Sequence, residues 1–266
     1  MDYVPLDYVP LDYVPLEYVE GLPRAFQRQL LAYMLACRPQ EACGFIYQTR
    51  QKHWQFQPCR NIAGNPETHF EVPAQDWLAV QHHPGLALFH SHPAGPCWPS
   101  FLDMQSYLET PHIPWLIVGA DDSENWRFFW LGGNHHYDLH ARIYRHGTTD
   151  CYGLIRDWYR LEKDIHLPDF ARLWGWWQSG GNLYAQSFQQ AGFHWCDPSD
   201  TRQIGDVFFA RIRSEVVNHA GLYLGRGLMF HHLSGAYGLD DRRQPKIEPI
   251  TRWDRFIDGW LRHHQL

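Results

Sequence analysis

The pair His90-x-His92, with Glu41 upstream and Ser100 and Asp103 downstream, holds the residue types of a hydrolytic zinc site. Two imidazoles two positions apart on a strand point to the same face. A carboxylate from the following helix, Asp103, completes a three-ligand set and leaves the fourth tetrahedral position for water. That open position separates a catalytic zinc from a structural one. Each fragment alone is weak. The chain has 18 histidines, and Ser100-x-x-Asp103 by itself is a helix capping box. The order and spacing of the whole set carry the reading.

A second constellation begins at Asp150-Cys151-Tyr152-Gly153. A cysteine at a helix N-terminus gains from the macrodipole, which is expected to lower the thiol pKa and favour a nucleophile. A buried structural cysteine would occupy the same place. Downstream, His219 falls in one apolar run and His231 and His232 in the next. A histidine on a neighbouring strand can act as base to a cysteine while a second polar residue orients it. Adjacent strand residues face opposite ways, so only one of His231 and His232 can serve. Asp206, after Gly205, reads as a structural acid at the start of a strand.

The elements that must position these residues are legible in the periodicity. Residues from about 23 to 37 form an amphipathic helix ended by Pro39. Strands are expected at 43–47, 70–72, 86–92, 115–119 and 126–131, with a helix after Ser100. Residues 133–146 shift to a His- and Tyr-rich linker. From Thr148 the order is helices first and strands last. Leu154, Ile155, Trp158 and Tyr159 share the helical face of Cys151, and Thr148, Thr149 and Asp150 are its cap candidates. The tail, residues 250–266, reads as a final strand or short helix. Trp174, Trp176 and Trp177 either pack as core or lid or line a groove.

The first set resembles the JAMM (MPN+) metallopeptidase signature: Glu41 in Glu-Ala-Cys-Gly-Phe-Ile, then His90-x-His92, seven residues, Ser100 and Asp103. The resemblance implies that His90, His92 and Asp103 hold Zn2+. It also implies that Glu41 moves the proton of the attacking water and that Ser100 helps stabilise the tetrahedral intermediate. Cys151, Gly205-Asp206, His219-x-Gly221-x-Tyr223 and then His231 resemble the NlpC family of papain-like cysteine peptidases. That resemblance makes Cys151 the nucleophile, His219 the base and His231 the orienting residue, the last chosen over His232 by its distance from His219. Tyr152 stands where many family members carry serine. The implied fold class is α+β in two domains, an N-terminal mixed α/β JAMM fold and a C-terminal papain-like NlpC-type fold. The expected organisation is a disordered five-residue repeat arm at 1–20, a JAMM-type domain at 21–134, a linker at 135–147 and an NlpC-type domain at 148–266.

Together the two halves resemble the tail assembly proteins of lambda-like siphophages. The resemblance implies a peptidase of a phage or prophage tail tip. Its partners would be tail-tip proteins, one of them bearing a ubiquitin-like domain, and peptidoglycan stem peptides, cut next to γ-D-glutamyl-diaminopimelate. The rival reading is a non-enzymatic assembly factor that uses both folds as a scaffold. One departure falls in residues 234–239, where Ser-Gly-Ala-Tyr-Gly-Leu replaces a Ser-Arg-Arg type run.

Composition narrows the classes. A net charge of −6 with no basic stripe makes nucleic acid a poor partner. No apolar run is long enough for a membrane span. The N-terminus lacks a Sec-type signal, as expected of a protein made in the cytoplasm and delivered with the virion. Six cysteines without CxxC spacing read as reduced thiols. The residues after Met1 repeat Asp-Tyr-Val-Pro-Leu three times; proline every fifth position blocks regular structure, so an extended or disordered arm is expected.

Overall fold

A computed structural model describes residues 16–17, 19–120, 125–132, 137–234 and 244–266. Most of the repeat arm, the first residues of the 135–147 linker and residues 235–239 of the departing run lie outside the described residues. Two compact units divide the chain, each built round one six-stranded sheet. Residues 1–100 and 109–135 make the first, and residues 136–266 with 101–108 make the second.

The first unit runs β1 (Leu16–Glu17), α1 (Arg24–Cys37), β2 (Cys43–Gln48), β3 (Trp54–Cys59), α2 (Ala74–Val80) and β4 (Ala87–His92). The chain then passes through α3 (Phe101–Glu109), most of it grouped with the second unit, before β5 (Trp115–Ala120) and β6 (Trp126–Leu131) of the first. The sheet order is β1-β6-β5-β4-β2-β3, with β1–β6 and β4–β5 parallel and the other pairs antiparallel. In α1 the apolar residues recur at helical spacing. Leu30, Leu31 and Met34 are fully buried in a core with Phe89, Leu116 and Val118. Each such side chain contributes about 1.5–3 kcal/mol by leaving water. A parallel pair needs a crossover connection. The β4–β5 crossover therefore starts at His92 and carries Ser100 and Asp103.

The second unit contains α4 (Cys151–Lys163), α5 (Leu183–Ser187), β7 (Phe193–Trp195), β8 (Val207–Ala210) and β9 (His219–Gly225). Then follow β10 (Leu228–His231), β11 (Lys246–Pro249), two 3-10 turns and β12 (Ile257–His263). All its pairs are antiparallel, in the order β11-β10-β9-β8-β12-β7. One face, with Val207, Phe209, Ala220, Leu222 and Phe230, packs with Leu154, Ile155, Trp158 and Tyr159 of α4. The opposite face, with Phe208, Ala210 and Met229, packs with Trp253, Phe256 and Trp260.

Both units are α+β, and the second has the helices-first, strands-last order expected. Two local readings change. Residues 70–72 join no ladder, although their residue types favour strand. β3 was hidden by Pro58, which sits on an edge strand where a missing N–H is tolerated. Leu16–Glu17, the end of the repeat arm, is extended and pairs with β6, and Arg127 forms an ion pair with the Glu17 carboxylate, Nε to Oε2 at 2.9 Å.

Candidate functional site

His90 and His92 end β4, and the crossover brings Asp103, in the first turn of α3, to them. One ligand atom from each of the three lies within 4.8 Å of the others. The two Nε2 atoms are 3.1 Å apart. Nitrogens bound at about 2.0–2.1 Å to one tetrahedral ion stand roughly 3.3–3.4 Å apart, so the pair fits a shared zinc. His92 Nδ1 donates to the Pro96 carbonyl at 2.6 Å, the partner that turns Nε2 inward as an acceptor. The loop bearing Pro96 lies on Gly119, where an added Cβ would come within 2.6 Å of the Pro96 backbone. Arg38 Nη2 also bonds the Pro93 carbonyl at 2.7 Å. His90 is fully buried, and Phe70 stacks on its ring at 4.5 Å. Residues 70–72, read as a strand, thus supply a wall of the site.

Glu41 precedes β2 by two residues. The β2–β4 ladder ends at the pair Cys43–His90, and beyond it the Ser91 N–H donates to the Ala42 carbonyl, so the chain at Glu41 leaves the ladder next to the histidine strand. Glu41 is 7 % exposed. Its N–H donates to the Pro66 carbonyl at 2.7 Å, and Asn61 Nδ2 donates to its carbonyl at 3.1 Å. Asn61 also bonds the carbonyl of His69 and the N–H groups of Ala63 and Glu71. Sequence reasoning missed this clamp, because an asparagine in a loop carries no signal of what it holds. Ser100 is exposed, directly before α3.

Cys151 is the first residue of α4, capped by Asp150, whose Oδ1 accepts from Gly153 N at 2.9 Å. The Sγ atom lies 3.0 Å from the Tyr184 hydroxyl, and the nearby Ala220 N–H favours the ionised sulfur. The expected lowering of the thiol pKa is not what the surroundings give. Burial pushes the Cys151 thiol up to about 11, and the Asp150 carboxylate adds to the rise. Asp150 as cap sets a negative charge on the helix end whose partial positive charge would have favoured a thiolate.

His219 and His231 meet on the sheet face opposite α4. His219 Nε2 and His231 Nδ1 are 2.9 Å apart, and His231 Nε2 bonds Glu248 at 2.8 Å. Gly221 makes room for this pair, since a Cβ there would lie 2.7 Å from that of His231. Burial lowers the pKa of His219 well below its usual value; it lowers that of His231 too, against the pull of Glu248. Burial thus favours the neutral form of both rings. His232 follows on the other face, edge-on to Tyr144 at 5.1 Å. The fold brings the β9 backbone to Cys151 through Ala220 and joins His219 to His231. Among the described residues it makes no hydrogen bond between Cys151 and an imidazole. Glu248 and Tyr184 were not found from sequence, being 17 residues from His231 and 33 from Cys151. Asp206 is structural, held by Arg262 through two bonds of 2.8 Å.

Asp150 is also buried against Arg172, with Nε to Oδ2 at 2.9 Å. Burial alone would raise its pKa, but Arg172, His146 and the N–H groups of Gly153 and Gly147 outweigh it and hold it at about 2. A depressed carboxyl stabilises the fold above its unfolded pKa, and that stability is lost as pH falls through the folded value. We expect wild-type stability to fall between about pH 4 and pH 2. Asp150→Ala should cost about 3 kcal/mol at neutral pH, because it strips Arg172 of a buried partner and α4 of its cap. Urea unfolding checks both, and equal stability of variant and wild type would refute the second.

Comparison with known proteins agrees with this geometry. Residues 23–132 match the family of prokaryotic homologs of the JAB domain, and residues 127–251 match the NlpC/P60 family. The chain thus joins two peptidase-family domains around the sites just described. It belongs to the family of tail tip assembly protein K. It is 33 % identical over 189 residues to tail tip assembly protein K of Escherichia phage lambda, covering 71 % of this chain and 83 % of the relative. It is 29 % identical over 209 residues to tail tip assembly protein K of Escherichia phage N15, covering 77 % and 83 %. No helix among the described residues is long and apolar enough to cross a membrane.

Proposed function

We propose that this chain is a bifunctional peptidase of a phage or prophage tail tip. A zinc-dependent site at 21–134 hydrolyses peptide or isopeptide bonds, and a cysteine-dependent site at 148–266 cleaves the peptidoglycan stem peptide. The observation that carries the reading is the convergence of His90, His92 and Asp103, with His92 oriented by Pro96. We expect about one zinc per purified chain by elemental mass spectrometry, and loss of it in His92→Ala. A wild-type chain loaded with zinc and dialysed that retains none would contradict it.

When bound, zinc supplies a Lewis acid that polarises the scissile carbonyl and acidifies water. Glu41 takes the proton of the attacking water and delivers it to the leaving amine. The Ser100 hydroxyl donates to the oxygen that gains charge. At the second site Cys151 attacks the stem-peptide carbonyl, and its proton passes to His219. His219 then protonates the leaving amine, and water, deprotonated by the same ring, hydrolyses the thioester. His231, held by Glu248, orients His219. With Nε2 held by His231, Nδ1 is the His219 nitrogen left to take the Sγ proton, through one water or in a contact that tightens only when substrate binds. Tail-tip proteins, one with a ubiquitin-like domain, are the partners of the first site.

One observation favours the second reading, a non-enzymatic assembly factor. The Cys151 thiol is bonded to Tyr184 rather than to an imidazole. Binding of a tail-tip protein without cleavage of any substrate would support it.

A further inference from the structure

We propose that the Tyr184 hydroxyl is a catalytic group of the cysteine site, donating its hydrogen to the Cys151 sulfur and stabilising the thiolate that attacks. The proposal rests on reading Cys151 as the nucleophile. At 3.0 Å either the thiol or the phenol can donate. Once the thiol proton has passed to the base, the phenol still has a hydrogen to share with the sulfur. Tyr184 keeps its own proton, because burial and the nearby Cys151 and Asp150 raise its pKa well above the ordinary phenol value.

The ring is fixed for this task. It packs against Trp176 at 5.8 Å and Phe209 at 5.1 Å, on the short helix α5. Asp150, which must cap α4 and pair with Arg172, places a negative charge beside the sulfur. The hydroxyl supplies the stabilisation that the capped helix end cannot. No bond forms to Tyr184; its hydrogen is shared with the sulfur, and the thiol proton leaves through the base.

The test follows the pH dependence of Cys151 alkylation by iodoacetamide, in which the sulfur–carbon bond forms and iodide leaves. Peptide mass spectrometry separates this label from that on the other five cysteines. Tyr184→Phe should move the midpoint upward by about one unit or more, making labelling roughly ten- to a hundredfold slower below it. Tyr152→Phe, which loses a buried hydroxyl bonded instead to the Pro168 carbonyl, should leave the midpoint in place. 3-Fluorotyrosine at position 184, a more acidic donor, should lower it. An unchanged midpoint, or faster labelling, in Tyr184→Phe overturns the proposal. Should that variant unfold, it would label like an ordinary thiol, and the fluorotyrosine chain decides: a lower midpoint supports the proposal and an unchanged one overturns it. The readout needs no peptidoglycan. If Cys151→Ala abolishes cleavage while Tyr184→Phe leaves the midpoint unmoved, only the tyrosine's role falls.

Discussion

Glu41→Gln should keep its zinc and lose hydrolysis at the first site by roughly 10²–10⁴-fold, the worth of a well-placed general base. The substitution preserves shape. The backbone bonds that fix residue 41, to the Pro66 carbonyl and from Asn61, do not involve the carboxylate. The substitution leaves His90, His92 and Asp103, the group that could hold the metal, untouched, so metal content should equal that of wild type. An amide at position 41 cannot take a proton from water or return one to the leaving amine. Cleavage of a tail-tip protein substrate, followed by gel and intact mass, measures the rate, and elemental analysis of the same sample measures the metal. Wild-type turnover in this variant would place the base elsewhere.

Cys151→Ala should abolish stem-peptide cleavage altogether, since no thioester can form without the sulfur. The pH dependence of the wild-type rate bears on the same site. Burial, helped by the neighbouring His231 and His232, lowers the pKa of His219 well below the usual imidazole value. A base must be neutral to accept a proton, so the rate should stay near its plateau at about pH 6.5, where an ordinary histidine would be half protonated. The acid limb should appear only below that. Release of new amino groups across a pH series measures it. An acid limb centred at or above about pH 6.5 would argue against a buried neutral base.

The two sites were legible in the sequence to different depths. His90-x-His92 and Asp103 are close in the chain, and a strand followed by a crossover helix converts their spacing directly into geometry. Glu41 is singled out by its motif, and it lies two residues before the end of β2 that pairs with His90. Phe70 was misread because its neighbours have strand composition; its ring stacks on His90 instead. The cysteine site is assembled from distant segments. Cys151 at the start of α4 could be read locally, yet its ionisation could not. The macrodipole is a property of the helix, whereas the thiol is governed by burial and by the Asp150 cap. Glu248 stands 97 residues beyond Cys151 and reaches His231 only because β11 pairs with β10. Periodicity cannot foresee such a pairing.

The central claim, two separable amide-cleaving sites in one chain, is tested most directly by mass spectrometry of diaminopimelate-containing muropeptides. They would be incubated with wild type, wild type in a zinc chelator, and Cys151→Ala. Wild type should cleave the stem peptide with and without chelator, and Cys151→Ala should not cleave it at all. Intact muropeptides in all three, or cleavage that survives Cys151→Ala, would contradict it.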